Sequence, residues 1–326
     1  MVKIRIIILL TVFFVSKPNL EAKDSWNTII KYIDLIHVVD SPEDINTIGH
    51  VSDCRLSFVL PKVIEKFINV RTINFYNANI MFNEEFFKLP NLKYLELDST
   101  VIINPFLFRD NLDNLKNLVD FNLSNVDFAS KTITNNHINS LGIYKSIFSN
   151  DTLTVNSKNL RRLSLNNPNI TSLILNANSL KSLNIVDNKK VNLYPILSKF
   201  KNTLNTLRFN ELENDQIIDI LNIVVNYKIP IAYIEMFKND IDQVPKNLFK
   251  IKSLERLHLI GNHINEIPIE ILNLVNLKYL TVGEELKSPP IILKELKSLE
   301  LVWLPQSMKS KMNEEDYHFK IKYFSE

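Results

Sequence analysis

Two histidines, His258 and His263, stand five residues apart and are the first pair to examine for metal chemistry. A zinc centre needs three or four convergent ligands at about 2.0–2.3 Å. One histidine falls within an alternating apolar segment and the other in the turn after it, so their side chains diverge, and no third ligand sits nearby. Cys54 is the only cysteine, which excludes an intramolecular disulfide and a thiolate cluster; it reads as a small buried hydrophobe. The carboxylate runs Glu84-Glu85, Glu284-Glu285 and Glu314-Glu315-Asp316 read as solvated surface. The four glycines, Gly49, Gly142, Gly261 and Gly283, lie too far apart to form a phosphate-cradling loop or a dinucleotide fingerprint. Neither a nucleophile elbow nor a locally supported Cys–His pair occurs. The residues thus point to no catalytic set, no metal and no cofactor, and the expectation is a protein that is not an enzyme.

What remains is recognition chemistry, carried by Tyr, Trp and Arg side chains, and their placement depends on the elements beneath them. The clearest such element begins at Leu254, with Leu257 and Leu259 following, then Asn262, Ile264, Ile267, Pro268 and Ile271. Leucines spaced by three and then by two mark a short strand whose apolar side chains face one core. An asparagine at the ninth position suits the interior of a stack, because its amide can satisfy backbone groups of adjacent turns. The frame recurs at Ile231, Ile234, Met236, Asn239 and Ile241, and again at Leu277, Leu280 and Val282.

Carried outward, it places strand starts at Val70, Leu92, Leu118, Ile138, Leu160, Leu180, Leu204, Ile231, Leu254, Leu277 and Leu299. The spacings run from 20 to 27 residues. Such self-similarity is the mark of a solenoid and overrides the two domains that 326 residues alone would suggest.

These residues resemble the leucine-rich-repeat family over roughly 70 to 305. The copies from 231 to 290 are similar to its longer repeats, and those at 138, 160 and 180 to its short bacterial-type repeats. The resemblance implies an α/β repeat solenoid, a horseshoe with a parallel concave sheet and a convex side mixing extended, 3-10 and α-helical segments. The chain departs from the family where the ninth position is Ala78, Thr100, Val126, Ser146, Pro168, Leu212 or Glu285. It also lacks cysteine-stapled caps.

Repeat length predicts the return side. Twenty-residue copies leave room only for extended returns, as at Ile170, Leu173 and Leu175. Longer copies have room for helical turns at 105–114, 194–200 and 216–225, the last with Ile217, Ile218, Leu221, Val224 and Val225 at helical spacing. Open solenoid ends need caps. An amphipathic helix over Trp26–Val38 suits one end, and the period-two run Tyr317, Phe319, Ile321, Tyr323 suits an edge strand at the other.

Lys3 and Arg5 precede ten residues, Ile6 to Val15, interrupted only by Thr11. That run is too short to span a bilayer and suits a secretory signal cleaved after Ser16 or Ala22. The expected organisation is a signal peptide at 1–22, an N-terminal cap at 23–69, repeats at 70–305 and a C-terminal cap or tail at 306–326. Sequons at Asn122, Asn150 and Asn169 are no more than chance supplies.

Side chains between the leucines alternate onto the solvent face. The last repeats concentrate Tyr233, Glu235, Phe237, Arg256, His258, Tyr279 and Trp303 there, and interface hot spots favour Trp, Tyr and Arg. These seven form the candidate binding site, with Tyr233, Arg256, Tyr279 and Trp303 expected side by side. A net charge of +2 selects neither nucleic acid nor an anionic membrane. The expectation is a secreted recognition protein, or one delivered into a host, that presents its concave face to a protein or a glycan. The alternative is a cytosolic adaptor that keeps its N-terminus.

Overall fold

The computed structural model of the chain describes residues 46–50, 56–60, 62–188 and 190–325. The signal-like segment, the Trp26–Val38 helix and Cys54 lie outside the described residues. The described residues form two compact units, the first running up to Leu160 with Pro168–Asn178 added, the second comprising Arg161–Asn167 and the described residues from Ser179 onward.

In the first unit, main-sheet strands run over Thr47–His50, Thr72–Tyr76, Tyr94–Asp98, Asp120–Ser124 and Ser140–Tyr144. Each pairs parallel with the next. Period-two alternation turns Ile73, Leu95, Phe121 and Leu141 into one buried row, and Phe75, Leu97, Leu123 and Ile143 into another. The ladder begins one turn ahead of the expected frame. Thr47-Ile48-Gly49-His50 carries no leucine, so spacing alone could not reveal it, yet Thr47 pairs with Thr72.

Between these strands the chain returns through Ala78–Met81, which lies parallel between Leu56–Val59 and Val101–Ile102. A second return sheet joins Thr132–Thr134, Thr152–Asn156 and Ser172–Asn176, the extended limbs expected of short repeats. The 105–114 segment is helical, an α-turn over Pro105–Asn111 running into a 3-10 turn over Leu112–Asn114. Beneath these returns lies a chain of phenylalanines. Phe82 meets Phe86 at 4.8 Å and Phe108 at 4.6 Å; Phe108 meets Phe128 at 6.0 Å, and Phe128 meets Phe148 at 5.9 Å. Most are edge-on, the arrangement that ring quadrupoles favour.

The second unit contributes eight main-sheet strands, Arg162–Asn166, Ser182–Val186, Thr206–Asn210, Tyr233–Phe237, Arg256–His258, Tyr279–Thr281, Leu301–Pro305 and Lys320–Phe324, again all parallel. Each of the eleven strands expected from the leucine frame forms in its expected register. Leu257, Leu259, Leu280 and Val282 are fully buried, as a core-facing row requires. The return side carries helices over Tyr194–Lys199 and Asn214–Asn226, where sequence placed helical turns. The longer helix buries Ile217, Ile220, Leu221 and Val224. Pro245, Pro268 and Pro290 each immediately precede a 3-10 turn in the later repeats.

Two positions of the frame recur in the turns that follow the strands. At the eighth, Asn77, Ser99, Asn125, Lys145, Asn167, Asp187, Glu211, Lys238 and Gly261 take positive φ between 40° and 70°. The backbone therefore reverses through a left-handed residue after nine consecutive strands, although only one is glycine. At the ninth, Asn262 donates to the carbonyls of Met236 (2.8 Å) and Leu259 (2.9 Å) and accepts from the Asn239 amide (3.1 Å). Asn239 repeats this, donating to Phe209 O at 2.9 Å and accepting from Leu212 N at 3.1 Å. At two of the positions without asparagine, a hydroxyl takes its place. Thr100 donates to Phe75 O at 3.1 Å, and Ser146 accepts from Val126 N at 3.2 Å.

Candidate functional site

Because core and solvent positions alternate, the third, fifth and seventh residues of each repeat rise from the open face of the sheet. In the second unit the third-position row reads Thr206, Tyr233, Arg256, Tyr279, Leu301 and Lys320. The fifth-position row reads Arg208, Glu235, His258, Thr281, Trp303 and Lys322. Six of the seven expected site residues therefore share two adjoining rows, and Phe237 stands in the next row, opposite Asn210.

One expectation needs correction. Tyr233, Arg256 and Tyr279 are neighbours along one row, but Trp303 lies in the other row, opposite Thr281. Residue 301, not 303, is the third position of its repeat, so Trp303 meets Tyr279 only diagonally. The C-terminal tail reaches the tryptophan through the Lys322 side chain. It lies alongside as the Lys320–Phe324 strand, parallel to Leu301–Pro305, and sends Lys322 Nζ to 5.0 Å from the indole.

The site is a series of rings, each paired with a charge. Arg208 stands 5.2 Å from the centre of the Tyr233 ring, and its Nε donates to Glu235 at 3.2 Å. The Tyr233 hydroxyl donates to the same carboxylate at 2.5 Å. Tyr233 also meets the His258 ring edge-on at 5.3 Å, and His258 Nδ1 lies 3.2 Å from the Thr281 hydroxyl. Arg256 covers Tyr279 at 4.7 Å, while the Tyr279 hydroxyl donates to Glu300 at 2.8 Å. Lys238 sits 5.1 Å from the exposed Phe237 ring. Cations held over aromatic faces present both charge and flat apolar area, at an attraction of about 0.5–1 kcal/mol per exposed pair.

Protonation follows these contacts. Burial, seconded by the bond to Glu235, raises the Tyr233 hydroxyl above its ordinary value. The bond to Glu300 does the same for Tyr279. Burial lowers the His258 imidazole; Glu235 opposes this, while Arg256 and Arg208 add to it. Both tyrosines are therefore neutral donors at physiological pH, and His258 is held toward its neutral form.

Sequence reasoning left Arg208, Lys322 and Glu300 out of the site. The signal for Arg208 was present, since it occupies the same row position as Glu235 in the repeat before it, with opposite charge. Lys322 becomes visible only once the tail is aligned beside Trp303.

His263 does not join His258. It turns to Asp240 (2.8 Å) and Glu285 (3.7 Å) at the strand ends. Among the described residues no group of three or more His, Cys, Asp or Glu side chains could hold a metal ion.

The open face of the first unit differs in character. Its strands carry Glu96, Asp98 and Asp120 with no cation on the same face, and Tyr76 donates to Glu96 at 2.7 Å. Gly142 leaves space that Tyr144 occupies; a Cβ there would stand 2.4 Å from the Tyr144 ring.

Parallel strands in constant register, returning through segments whose length varies from repeat to repeat, define a repeat solenoid. A family model described as a leucine-rich repeat region matches residues 179–316 of the chain. Among solved structures, TLR13, crystallised in complex with ssRNA13, is similar at 16% identity with a TM-score of 0.54, over 81% of this chain and 43% of that one. An internalin of Listeria monocytogenes is 16% identical over 93% of this chain and 92% of that one, at a TM-score of 0.44. A leucine-rich-repeat protein of Leptospira interrogans is 20% identical over 75% and 68%, at a TM-score of 0.43. No curated protein matches the chain.

Proposed function

We propose that this chain is a secreted, non-catalytic recognition protein that binds another protein on the open face of its second unit. The observation that carries the reading is the juxtaposition of Tyr233, Arg256 and Tyr279 on consecutive strands, with Trp303 diagonal to them, above a fully buried leucine row. Interface energy concentrates in such aromatic and Arg side chains, which are enriched among hot spots. Because these residues rise from the solvent side of a rigid ladder, they can be changed without opening the core. The secretory part of the proposal rests on the basic start and short apolar run at the N-terminus.

The test is affinity capture by the full chain, run in parallel with Tyr279→Ala, Arg256→Ala and the controls Ser164→Ala and Asn184→Ala. Loss of the same captured protein with both site variants, and retention with both controls, is expected. Capture indifferent to Tyr279 and Arg256 overturns the assignment of the face. For processing, the first residue of secreted material should fall near Lys17 or Lys23; cytosolic protein that retains Met1 would refute secretion.

A further inference from the structure

The charge on the open face of the second unit is lopsided. Arg162, Arg208, Arg256, Lys320 and Lys322 project from its strands, against a single carboxylate, Glu235; five less one leaves four net positive charges. The residues just ahead of these strands add Arg161, Lys181 and Lys278 against Glu255 and Glu300, so they do not change the sign. The whole chain carries only +2, which makes this face a local concentration of positive charge.

We propose that the partner meets this face with an extended acidic polypeptide segment; the inference rests on the open face being the binding surface. Carboxylates of the segment meet Arg256, Arg208 and Lys322, and its apolar side chains lie on Tyr279 and Trp303. A nucleic acid fits less well. Its continuous anionic backbone meets fixed carboxylates at Glu235 and Glu300, beside the two tyrosine rings. A peptide distributes its charges one side chain at a time and can pass both.

The test is a selection of random displayed peptides on the immobilised full chain. Enriched peptides are then synthesised, together with versions carrying Gln for every Glu and Asp, and compared with a thymidine oligonucleotide. Enriched peptides should be net negative and lose about tenfold or more in affinity on Glu-to-Gln exchange or on Arg256→Gln combined with Lys322→Gln. Raising salt from about 0.05 M to about 0.3 M should weaken them further, as screening shortens. Neutral or basic winners, an empty selection, or tighter binding of the oligonucleotide would overturn the proposal. Neutral peptides that still require Tyr279 defeat the acidic class alone. Peptides indifferent to both Tyr279→Ala and Arg256→Gln defeat the face itself.

Discussion

Asn262→Ala removes one side chain that serves three buried backbone groups. Its amide donates to Met236 O and Leu259 O, and its oxygen is the acceptor for the Asn239 N–H. Asn262 is 2% exposed, so water cannot replace it without opening the stack. Leaving the Asn239 N–H unsatisfied costs about 1–3 kcal/mol, and each under-served carbonyl about 1 kcal/mol more. The sum is about 3–5 kcal/mol, with little lost packing to add. Because Asn239 performs the same task for Leu212 and Phe209, the loss should spread one repeat toward the N-terminus. Amide hydrogen exchange resolved by residue is the assay, since a repeat array need not unfold in one step. Exchange at Asn239 and Leu212 should accelerate by two or more orders of magnitude, about 1.4 kcal/mol per tenfold. Asn262→Thr should cost less, because Thr100 shows that a hydroxyl can serve this position. An Ala variant whose exchange at Asn239 matches the wild type would refute the idea that the ninth-position amide couples successive turns.

Other outcomes follow from contacts already described. Gly261→Ala should cost about 1–2 kcal/mol in thermal or denaturant unfolding, because φ is +70° and the new Cβ would stand 2.9 Å from Lys238 Cγ. Phe108→Ala empties a site that touches Phe82, Phe87, Phe121 and Phe128, and should cost about 3–5 kcal/mol in chemical unfolding of the first unit. Burial lowers the His258 pKa, so the unfolded chain binds the extra proton more readily than the folded one. Stability should therefore fall as pH drops below the ordinary histidine value of 6.5, and His258→Gln should flatten that slope while Glu235, Arg256 and Arg208 remain. Unfolding measured across that range checks both.

Much of the fold was legible because a strand repeats its parity. Once Leu257 and Leu259 fix which side is buried, every other residue of the repeat is assigned, and the irregular copies at 138, 160 and 180 follow the same rule. Features without a leucine escaped. The Thr47–His50 strand is recognised by its neighbour at Thr72, not by its own residues. The left-handed eighth position hides behind Lys145, Glu211 and Lys238, residues that carry no local signal for positive φ and are held there by the ladder. The phenylalanine chain lies in return segments, where spacing varies from copy to copy. In the site, the tyrosines and Arg256 were legible from position alone. Their charged partners come from strands 20 to 27 residues distant, so their contribution emerged only from register.

Trp303 gives the open face an optical reporter of its own. The chain has two tryptophans, Trp26 and Trp303, and the second is half-buried under the ammonium of Lys322. Iodide and caesium quench indole emission by collision and differ in sign of charge. A ring standing beside Lys322 draws iodide toward it and repels caesium, so the ratio of their quenching constants reads the local potential directly. Comparison with Trp303→Phe separates this signal from that of Trp26. Any molecule that settles on the face displaces the halide, and occupancy becomes visible without a label.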